Sequence, residues 1–417
     1  MSEKTNIPQI RFKGFNDVWE QCKLIDLGRI ETGNTPSTLV KEYYSEEGML
    51  WVTPTDINSN ILFNTERKLS EKGIKVARVI PANSTLCTCI ASIGKNAFLP
   101  VKCAFNQQIN ALTPYDNNDP YFIFTNSYHW SQTMKRGAGG LTFQIVNKTE
   151  FSNIETSVPN KEEQILISKL FFKIDNLITL HQRKHEKYTN IKKALLEKIF
   201  PQNGEKIPQI RFKGFTEAWE QCKFGEIMEE VTDYVAAGSF ADLAENVKYL
   251  STPDYAQLVR TTDLKANFTN NDFIYVNEHA FNFLWRVNLN KECIIMPNIG
   301  NCGEIYFINP NKLPYKHNVL GPNAIFVRST TNNNKFLSYN FQTETFQKKL
   351  KLIISPNGQT KFNKTELKTI LTFKAELAEQ NKLGDLFEQI DNLITLHQRE
   401  CEKLKNIKKS LLEKMFV

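Results

Sequence analysis

The pattern of apolar and polar positions switches twice along this chain, from short runs to a long helical repeat. Runs rich in β-branched and aromatic residues, such as residues 49–57 and 77–94, are bounded by Gly, Pro and Asn. Runs of this kind are typical of strands joined by turns. Apolar residues then recur every three or four positions through residues 174–200 and again through 390–416, which predicts two long helices.

The two helical stretches are copies of one another. The sequence IDNLITLHQR occupies residues 174–183 and 390–399 without a difference. Three shorter strings recur in the same order: IPQIRFKGF at 7–15 and 207–215, NKTE at 147–150 and 363–366, and EEQ or AEQ at 162–164 and 378–380. Such an ordered set of repeats indicates a tandem duplication. The residues between the repeats have diverged, so one scaffold presents two different surfaces.

The repeats divide the chain into four predicted segments. Two β-rich domains occupy residues 1–160 and 201–376, and a long helix follows each of them, at 161–200 and 377–417. The predicted fold class is α+β, with two β-rich domains joined by two long antiparallel coiled-coil helices in a pseudo-twofold tandem repeat. The length of 417 residues suits this division, since one domain takes roughly 100–200 residues.

Each predicted helix carries a seam that is apolar at its ends and polar at its centre. Taking Ile174 as a heptad a position gives alternating spacings of three and four, as a coiled coil requires. The first a/d series is Ile174, Leu177, His181, Lys184, Tyr188, Ile191 and Leu195, and the second is Ile390, Leu393, His397, Glu400, Leu404, Ile407 and Leu411. About 30 residues at ~1.5 Å each form a rod of about 45 Å.

One antiparallel register matches the two seams position by position. It sets apolar residues against each other in the pairs Ile174–Ile407, Leu177–Leu404, Tyr188–Leu393 and Ile191–Ile390. It also sets His181 against Glu400 and Lys184 against His397, which we expect to lock the register. A slip of one heptad would bury polar groups against leucine, at about 1–3 kcal/mol for each unsatisfied group. Pairing between two chains is the alternative, and periodicity alone does not exclude it.

Composition and charge describe an ordinary globular protein, with 41% hydrophobic and 23% charged residues. No apolar run approaches the ~20 residues of a membrane-spanning helix, and the first ten residues lack the apolar core of a signal peptide. The surroundings of Cys87 and Cys89 hold no second pair of metal ligands. We therefore expect reduced thiols, a cytoplasmic location and no membrane partner. A net charge of +7 permits a polyanionic partner without requiring one.

Motifs for catalysis are missing from the sequence. Adenine methylation would need a cofactor loop and a [DN]PP[YF] motif, and the nearest string, NDPY at residues 118–121, lacks the second proline. The GAGG string at 137–140 has the spacing of neither a P-loop nor a dinucleotide-binding loop. The six histidines show no metal-ligand spacing. We therefore expect no catalysis, no metal and no cofactor in this chain by itself.

The duplicated strings, taken in this order, resemble the specificity subunits of type I restriction-modification systems. The resemblance covers nearly the whole chain, and the IPQIRFKGF openings, NKTE followed by EQ, and the IDNLITLHQR helices carry it. It implies that each β-rich domain is a target-recognition domain for one half of a bipartite sequence in double-stranded DNA. It also implies that the helices are an antiparallel spacer that sets the gap between the half-sites.

The same resemblance implies the partners. The helices and their flanking segments would dock two modification subunits, which carry adenine-N6 methylation and bind S-adenosylmethionine. Restriction subunits, which are motors and endonucleases, would join that complex. Two departures from a regular repeat concern the helix starts: the first copy reads KIDNLI and the second QIDNLI, and SVPNKEEQ keeps a proline that LTFKAELAEQ lacks. They leave the beginning of the second helix less defined.

Candidate base-reading residues lie in loops rich in Lys, Arg, Asn and Gln, since Arg and Lys pair with guanine and Asn and Gln with adenine. In the first half they are Lys95, Asn96, Asn106, Gln107, Lys135, Arg136, Thr142 and Gln144. In the second half they are Asn298, Asn301, Lys316, Asn318, Asn357, Gln359 and Lys361. Asn and Gln are also common turn formers, so a structural role for any one of them stays open.

Two other classes of function compete with a DNA specificity subunit. One is an adaptor whose β-rich domains bind proteins while the coiled coil joins two chains. The other is a methyltransferase or nuclease fused to its own specificity module, which the missing cofactor and acidic motifs disfavour. Salt dependence separates the first, because DNA binding weakens steeply as salt rises. Cofactor-binding calorimetry on the chain separates the second.

Overall fold

The computed structural model describes residues 6–90, 92–137, 145–202, 204–355 and 360–417, apart from the side chains of residues 136 and 137. The chain divides into two compact units. The first comprises residues 1–183 together with 397–417, and the second comprises residues 184–396. Each unit therefore combines one β-rich region with a part of both long helices.

Among the described residues, the first unit contains three small sheets, four short or medium helices, the first part of a long helix and the last part of a second one. In chain order the elements are β1 (Glu20–Lys23), α1 (Leu24–Leu27), β2 (Gly28–Thr32), β3 (Tyr44–Ser45), β4 (Met49–Val52), β5 (Arg67–Leu69), α2 (Glu71–Val76), β6 (Val79–Ile80), β7 (Ser84–Thr88), β8 (Asn96–Leu99), β9 (Cys103–Phe105), β10 (Ile109–Pro114), α3 (Pro120–Gly137), α4 (Lys148–Ser152), β11 (Glu155–Val158) and α5 (Lys161–Ile199).

The described strands of the first unit form two larger sheets and one two-stranded pair. The sheet β2-β10-β7-β8 is antiparallel, and the sheet β3-β5-β4-β9-β6 contains one parallel pair, β4 with β9. The pair β1-β11 closes the domain beside the start of α5. Aromatic side chains fill the space between α3 and the long helices, where Trp19, Phe122 and Phe416 contact one another at ring-centroid distances of 5.6–5.8 Å.

The second unit repeats the plan with different residues. Its elements are β12 (Glu220–Lys223), α6 (Phe224–Ile227), β13 (Glu230–Asp233), α7 (Phe240–Asn246), β14 (Ala256–Val259), α8 (Thr261–Lys265), β15 (Ile274–Val276), α9 (Glu278–Phe283), β16 (Cys293–Pro297), β17 (Tyr306–Ile308), β18 (Asn318–Leu320), β19 (Ala324–Arg328), α10 (Asn334–Gln342), α11 (Glu344–Ile353), α12 (Lys364–Thr369), β20 (Leu371–Lys374) and α13 (Leu377–Met415).

Sheet topology confirms the predicted α+β tandem repeat. The order β13-β19-β16-β17 in the second unit reproduces β2-β10-β7-β8 of the first. The sheet β15-β14-β18 keeps a parallel pair, β14 with β18, at the place of β4 with β9. The pair β12-β20 matches β1-β11. The same chain order of strands therefore builds both β-rich regions.

In the structure, the duplicated strings contact one another through ion pairs between arginine and glutamate side chains. Arg11 of the first IPQIRFKGF string donates two hydrogen bonds of 2.8 Å to Glu163, the buried glutamate of EEQ. Arg211 of the second string binds Glu379 of AEQ at 2.7 and 2.8 Å. Planar, two-point pairs of this kind are strong and geometrically specific. The recurrence of both strings therefore has a structural cause, since each half uses them to attach its opening segment to its helix.

Part of the predicted seam is displaced by one residue: Ile174 is buried as predicted, but Ile178 and Cys401 are buried where Leu177 and Glu400 were predicted. Ile174, Ile178 and Cys401 form one buried cluster where the two helices pack in the first unit. Lys184 is exposed, Ile407 is 41% exposed, and Leu177, Ile191 and Leu393 are only half-buried. Ile174 thus occupies a d position followed by an a position at 178. Because Leu177 and Ile178 are neighbouring apolar residues, periodicity did not distinguish the two frames.

The predicted register lock at His181 is wrong as well. The shifted seam brings His181 against His397, with their Nδ1 atoms 3.2 Å apart, and not against Glu400. The pairing remains antiparallel, because Asp175 meets Lys408 at 2.7 and 2.8 Å. The predicted contact of Lys184 with His397 stays a prediction.

An ion pair and a tyrosine attach the helices to each β-rich region. Asp175 accepts a hydrogen bond of 2.8 Å from the hydroxyl of Tyr121 as well as its bonds from Lys408. In the second unit, Asp391 binds Lys192 and the hydroxyl of Tyr339, both at 2.8 Å. Burial, with the aspartate beside it, raises the pKa of each tyrosine. Both hydroxyls therefore stay protonated and act as donors.

Candidate nucleic-acid interface

Three of the predicted reading segments converge at one edge of the first unit. The main chain of Cys89, just after β7, donates to the carbonyl of Gln108 (2.8 Å) and accepts from the amide of Val146 (2.9 Å). Gly94, in the same loop, has φ of +77°, and a Cβ there would lie 2.9 Å from Cε of Lys135. The β7–β8 loop, the 106–108 turn and the end of α3 therefore meet.

Lys95, Lys135 and Gln107 are exposed at this edge. Gln107 also accepts a hydrogen bond from the hydroxyl of Thr35, which orients its amide. Exposed ammonium and amide groups on a rigid sheet edge are suited to bind phosphates and base edges. The arrangement thus provides hydrogen-bond donors and acceptors for a duplex.

Two predicted base-reading residues of the first half make hydrogen bonds within the protein. Asn106 is 7% exposed, and its side chain accepts from the amide of Gln108 (3.0 Å) within a tight turn. Asn96 is half-buried and donates to the hydroxyl of Ser131 (2.7 Å), which fastens β8 to α3. A buried amide is normally hydrogen-bonded, and Asn106 does not reach the surface. The turn-forming alternative for asparagine therefore holds at Asn106.

The second unit builds an equivalent edge from other residues. The loop after β16 pairs with residues 360–362, through Gly300 N to Thr360 O (2.9 Å) and Phe362 N to Asn298 O (3.1 Å). Asn298 is half-buried, and its Nδ2 donates to the carbonyl of Phe362 (3.3 Å). Asn301 and Lys361 are exposed there. Of the predicted reading residues that the structure describes, Asn301 and Lys361 are therefore exposed at this edge, whereas Lys95, Lys135 and Gln107 are exposed at the edge of the first unit.

Asn318 and Lys316 are not at this edge. Asn318 is 5% exposed and donates to the carbonyl of Tyr315 (2.7 Å) at the start of β18. Lys316 is exposed but precedes the same strand, whereas the residue that contacts Asn298 is Asn323, beyond its end. The true counterpart of the 106–108 turn is therefore the turn at 321–323. Asn318 belongs to the interior because all three residues of β18, which pairs with the central strand β14, are buried.

Some predicted residues lie outside the part of the chain that the structure describes. They are Thr142, Gln144, Asn357 and Gln359, together with the side chain of Arg136. In sequence, the first two follow α3 and the last two precede residue 360.

A groove of about 1290 Å³ in the first unit was not predicted from the sequence. One wall is the loop of residues 55–66, where Asn58, Phe63 and Asn64 are exposed. The other wall is helical and carries Arg183, Lys405 and Lys409, which are also exposed. The Asn-rich loop and the lysines spaced four apart were visible in the sequence. Their meeting was not, because it depends on the antiparallel helix pairing.

The cysteines are packed within the units. Burial raises the pKa of Cys87 well above its ordinary value and that of Cys103 to about 12, so both thiols are protonated. Among the described residues, no group of three His, Cys, Asp or Glu side chains is placed to hold a metal ion. Within those same ranges, no helix is long and apolar enough to cross a membrane.

Comparison with known proteins shows which proteins this chain is similar to. A family model described as the type I restriction modification DNA specificity domain matches residues 16–190. The MjaIX specificity subunit of Methanocaldococcus jannaschii is 25% identical, with 95% of this chain and 92% of that protein aligned. The HindI specificity subunit of Haemophilus influenzae is 30% identical over 45% of this chain and 41% of its own length. The chain is thus similar to type I specificity subunits over nearly its whole length.

Comparison of the fold with solved structures agrees with the sequence matches. The crystal structure of a type I restriction-modification S subunit from M. genitalium aligns over 99% of both chains, with a TM-score of 0.60 and 16% identity. At that identity the likeness establishes the fold alone. The resemblance inferred from the duplicated strings is confirmed by the sequence matches. The matched family model and the aligned relatives are all described as specificity components of type I restriction enzymes.

Proposed function

We propose that this chain is a type I specificity subunit that reads a bipartite target in double-stranded DNA, one half-site for each β-rich region. Residues 1–160 and 201–376 are the two target-recognition domains of this proposal. The observation that carries it is the pair of equivalent edges: the strand order is the same, while the exposed residues differ. Lys95 stands where the second unit has Asn301, and Lys361 bridges Ile299 where Ile145 of the first unit bridges Ile90. Different donors on one frame suit two different half-sites.

The helices at 161–200 and 377–417 are, in this proposal, the spacer that sets the gap between half-sites. The support is their duplicated attachment. Each is fastened to a β-rich region at its start by an Arg–Glu pair and further along by an aspartate that binds a lysine and a tyrosine. Buried, directional contacts of this kind fix one geometry more strictly than an apolar seam does.

The chain contributes recognition, and its partners contribute chemistry. We propose that two modification subunits dock on the helices and carry out adenine-N6 methylation with S-adenosylmethionine, and that restriction subunits join them. The described residues of this chain supply amide and ammonium groups at the reading edges, which suit binding. Such groups hold and orient a duplex without transferring a methyl group.

The proposal is tested by mapping methylated adenines in cells that co-express this chain with its modification subunit. Replacing Lys95 and Lys135 by Ala is expected to abolish methylation or to relax only one half-site. Replacing Asn301 and Lys361 by Ala is expected to affect only the other. Loss of an interaction with a base costs about 1–3 kcal/mol, or roughly 5- to 150-fold in discrimination.

Matched controls lie at the opposite ends of the same strands. Lys102 is exposed beyond the far end of β8 from Lys95, and Lys291 is exposed before β16. Lys102→Ala and Lys291→Ala remove the same kind of charge and should leave the motif unchanged. If both pairs of variants changed the same half-site, or if the controls acted like the test variants, the division of reading between the two domains would be wrong.

A further inference from the structure

A large apolar side chain stands almost fully in solvent on a turn of the first unit. Leu39 is 91% exposed, in the connection between β2 and β3. It lies in a turn in which the amide of Val40 donates to the carbonyl of Ser37 (3.2 Å). A single exposed leucine is ordinary on a protein surface. Whether Leu39 contributes to binding depends on where it lies and on how rigidly its turn is held.

The turn is held rigidly at its base. Asn34 donates its side-chain amide to the carbonyl of Val76 (2.8 Å) and accepts from the amide of Arg78 (2.6 Å). The hydroxyl of Tyr44 donates to the carbonyl of Pro36 (2.7 Å) on the other side. Leu39 is therefore presented at the tip of a turn that is fastened at both ends. Such support reduces the entropy lost when the side chain is fixed by a ligand.

The same turn adjoins the reading edge. A Cβ at Gly33 would lie 2.2 and 2.3 Å from the carbonyl oxygens of Phe105 and Asn106, so the backbones are in direct contact. The amide of Asn34 donates to Phe105 O (2.9 Å). The hydroxyl of Thr35, four residues before Leu39, binds the side chain of Gln107. Leu39 thus shares one rigid frame with the exposed Gln107.

The second unit places an aromatic residue in the equivalent connection. Phe240, which begins α7, is 84% exposed, and the side chain of Ser239 caps that short helix. The connection leaves β13 at Asp233, whose strand partner is Ile325 of β19. Asn323, two residues before Ile325, contacts Asn298 at the second reading edge. Both units therefore carry a large exposed apolar residue after the strand that leads to the reading edge.

We propose that Leu39 and Phe240 are apolar contacts to the DNA bases, one for each half-site. This inference rests on the proposed function. The polar groups beside them can hydrogen-bond to base edges, but a thymine methyl or an opened base step needs an apolar partner. Leucine in one domain and phenylalanine in the other give the two half-sites apolar contacts of different shape. Leu39 and Phe240 thereby contribute to sequence discrimination.

The test uses the complex of this chain with its modification subunit and a duplex that carries the methylated motif. Leu39→Ala should weaken binding to the motif about 5- to 50-fold, with little change on unrelated duplex. Leu39→Met, which keeps an apolar side chain, should stay within about 2-fold of the parent. Val101→Ala is the matched control, because Val101 is exposed beyond the far end of β8.

Two modified duplexes identify the contact. Replacing thymine by deoxyuracil in the first half-site removes a methyl group. If Leu39 contacts that group, the replacement weakens binding of the parent but not of Leu39→Ala. If Leu39 opens a base step, 2-aminopurine in that half-site brightens with the parent and not with the variant. Either result supports the inference for Leu39, and Phe240→Ala with the second half-site tests the other domain.

The inference is overturned if Leu39→Ala keeps affinity for the motif within about 2-fold and neither modified duplex responds. Because Leu39 is almost fully exposed, its truncation leaves the fold unchanged. Failure of the proposed function has a different signature, since the parent complex would then show no bipartite methylated motif at all.

Discussion

Replacing Glu379 by Gln is expected to destabilise the second unit strongly. The carboxylate is buried at the start of α13 and receives two hydrogen bonds from Arg211, at 2.7 and 2.8 Å. The indole N–H of Trp219 adds a third at 3.0 Å. The hydrogen bond to Glu379 raises the pKa of Arg211, so the guanidinium stays charged. Glu379→Gln keeps the shape but leaves that charge without its anion.

The expected loss is about 2–4 kcal/mol in the free energy of unfolding. Breaking one partner of a buried ion pair costs ~3–5 kcal/mol, and the 12% exposure of the Arg211 side chain lets solvent recover a part. The first unit supplies a matched control in Glu163, which binds Arg11 in the same way. There the indole nitrogen of Trp19 has no hydrogen-bond partner. Glu163→Gln should therefore cost about 1 kcal/mol less than Glu379→Gln.

Urea unfolding of the chain, followed by tryptophan fluorescence and far-UV circular dichroism, measures both losses. Adding Arg211→Met to Glu379→Gln removes the uncompensated charge and should restore stability relative to the sum of the single changes. The reasoning is refuted if Glu379→Gln costs less than about 1 kcal/mol. It is also refuted if the double variant is simply additive.

Three further outcomes are expected. Lys408→Met leaves Asp175 buried without its cation and should lower the thermal midpoint, whereas exposed Lys409→Met should not. Burial lowers the pKa of His129, whose Nε2 lies 2.8 Å from the carbonyl of Leu412. Below about pH 6.5 the unfolded state binds a proton at this histidine more readily than the folded state does. The free energy of unfolding should therefore be highest above that pH and fall below it, and melting curves should show a smaller fall in His129→Gln. Asn318→Ala should cost about 1–3 kcal/mol in urea unfolding yet leave the methylated motif unchanged.

Much of the fold was predictable because duplicated strings mark structural joints. Arg11 and Glu163 recur as Arg211 and Glu379 since each half needs the same attachment. The frame of the helical seam was not predictable. Leu177 and Ile178 are both apolar, and the choice between them depends on Asp175, which faces the β-rich region and Lys408. Tertiary contacts thus decided a one-residue question that periodicity left open.

The candidate interface was predictable as a set of loops but not residue by residue. Exposed Lys95, Lys135 and Gln107 meet at one edge as expected of a reading surface. Asn106 and Asn318 are buried, because asparagine serves equally to close turns and to anchor strand ends. Leu39 was not predictable, since a lone apolar residue in a polar stretch indicates no function until its exposure is known.

The most direct test of the central claim is a genome-wide map of methylated adenines in cells that express this chain with its modification subunit. Two domains on one repeated scaffold predict a bipartite motif: two short specified half-sites separated by a gap of constant length. A single continuous motif, a gap of variable length, or no chain-dependent methylation would contradict the account.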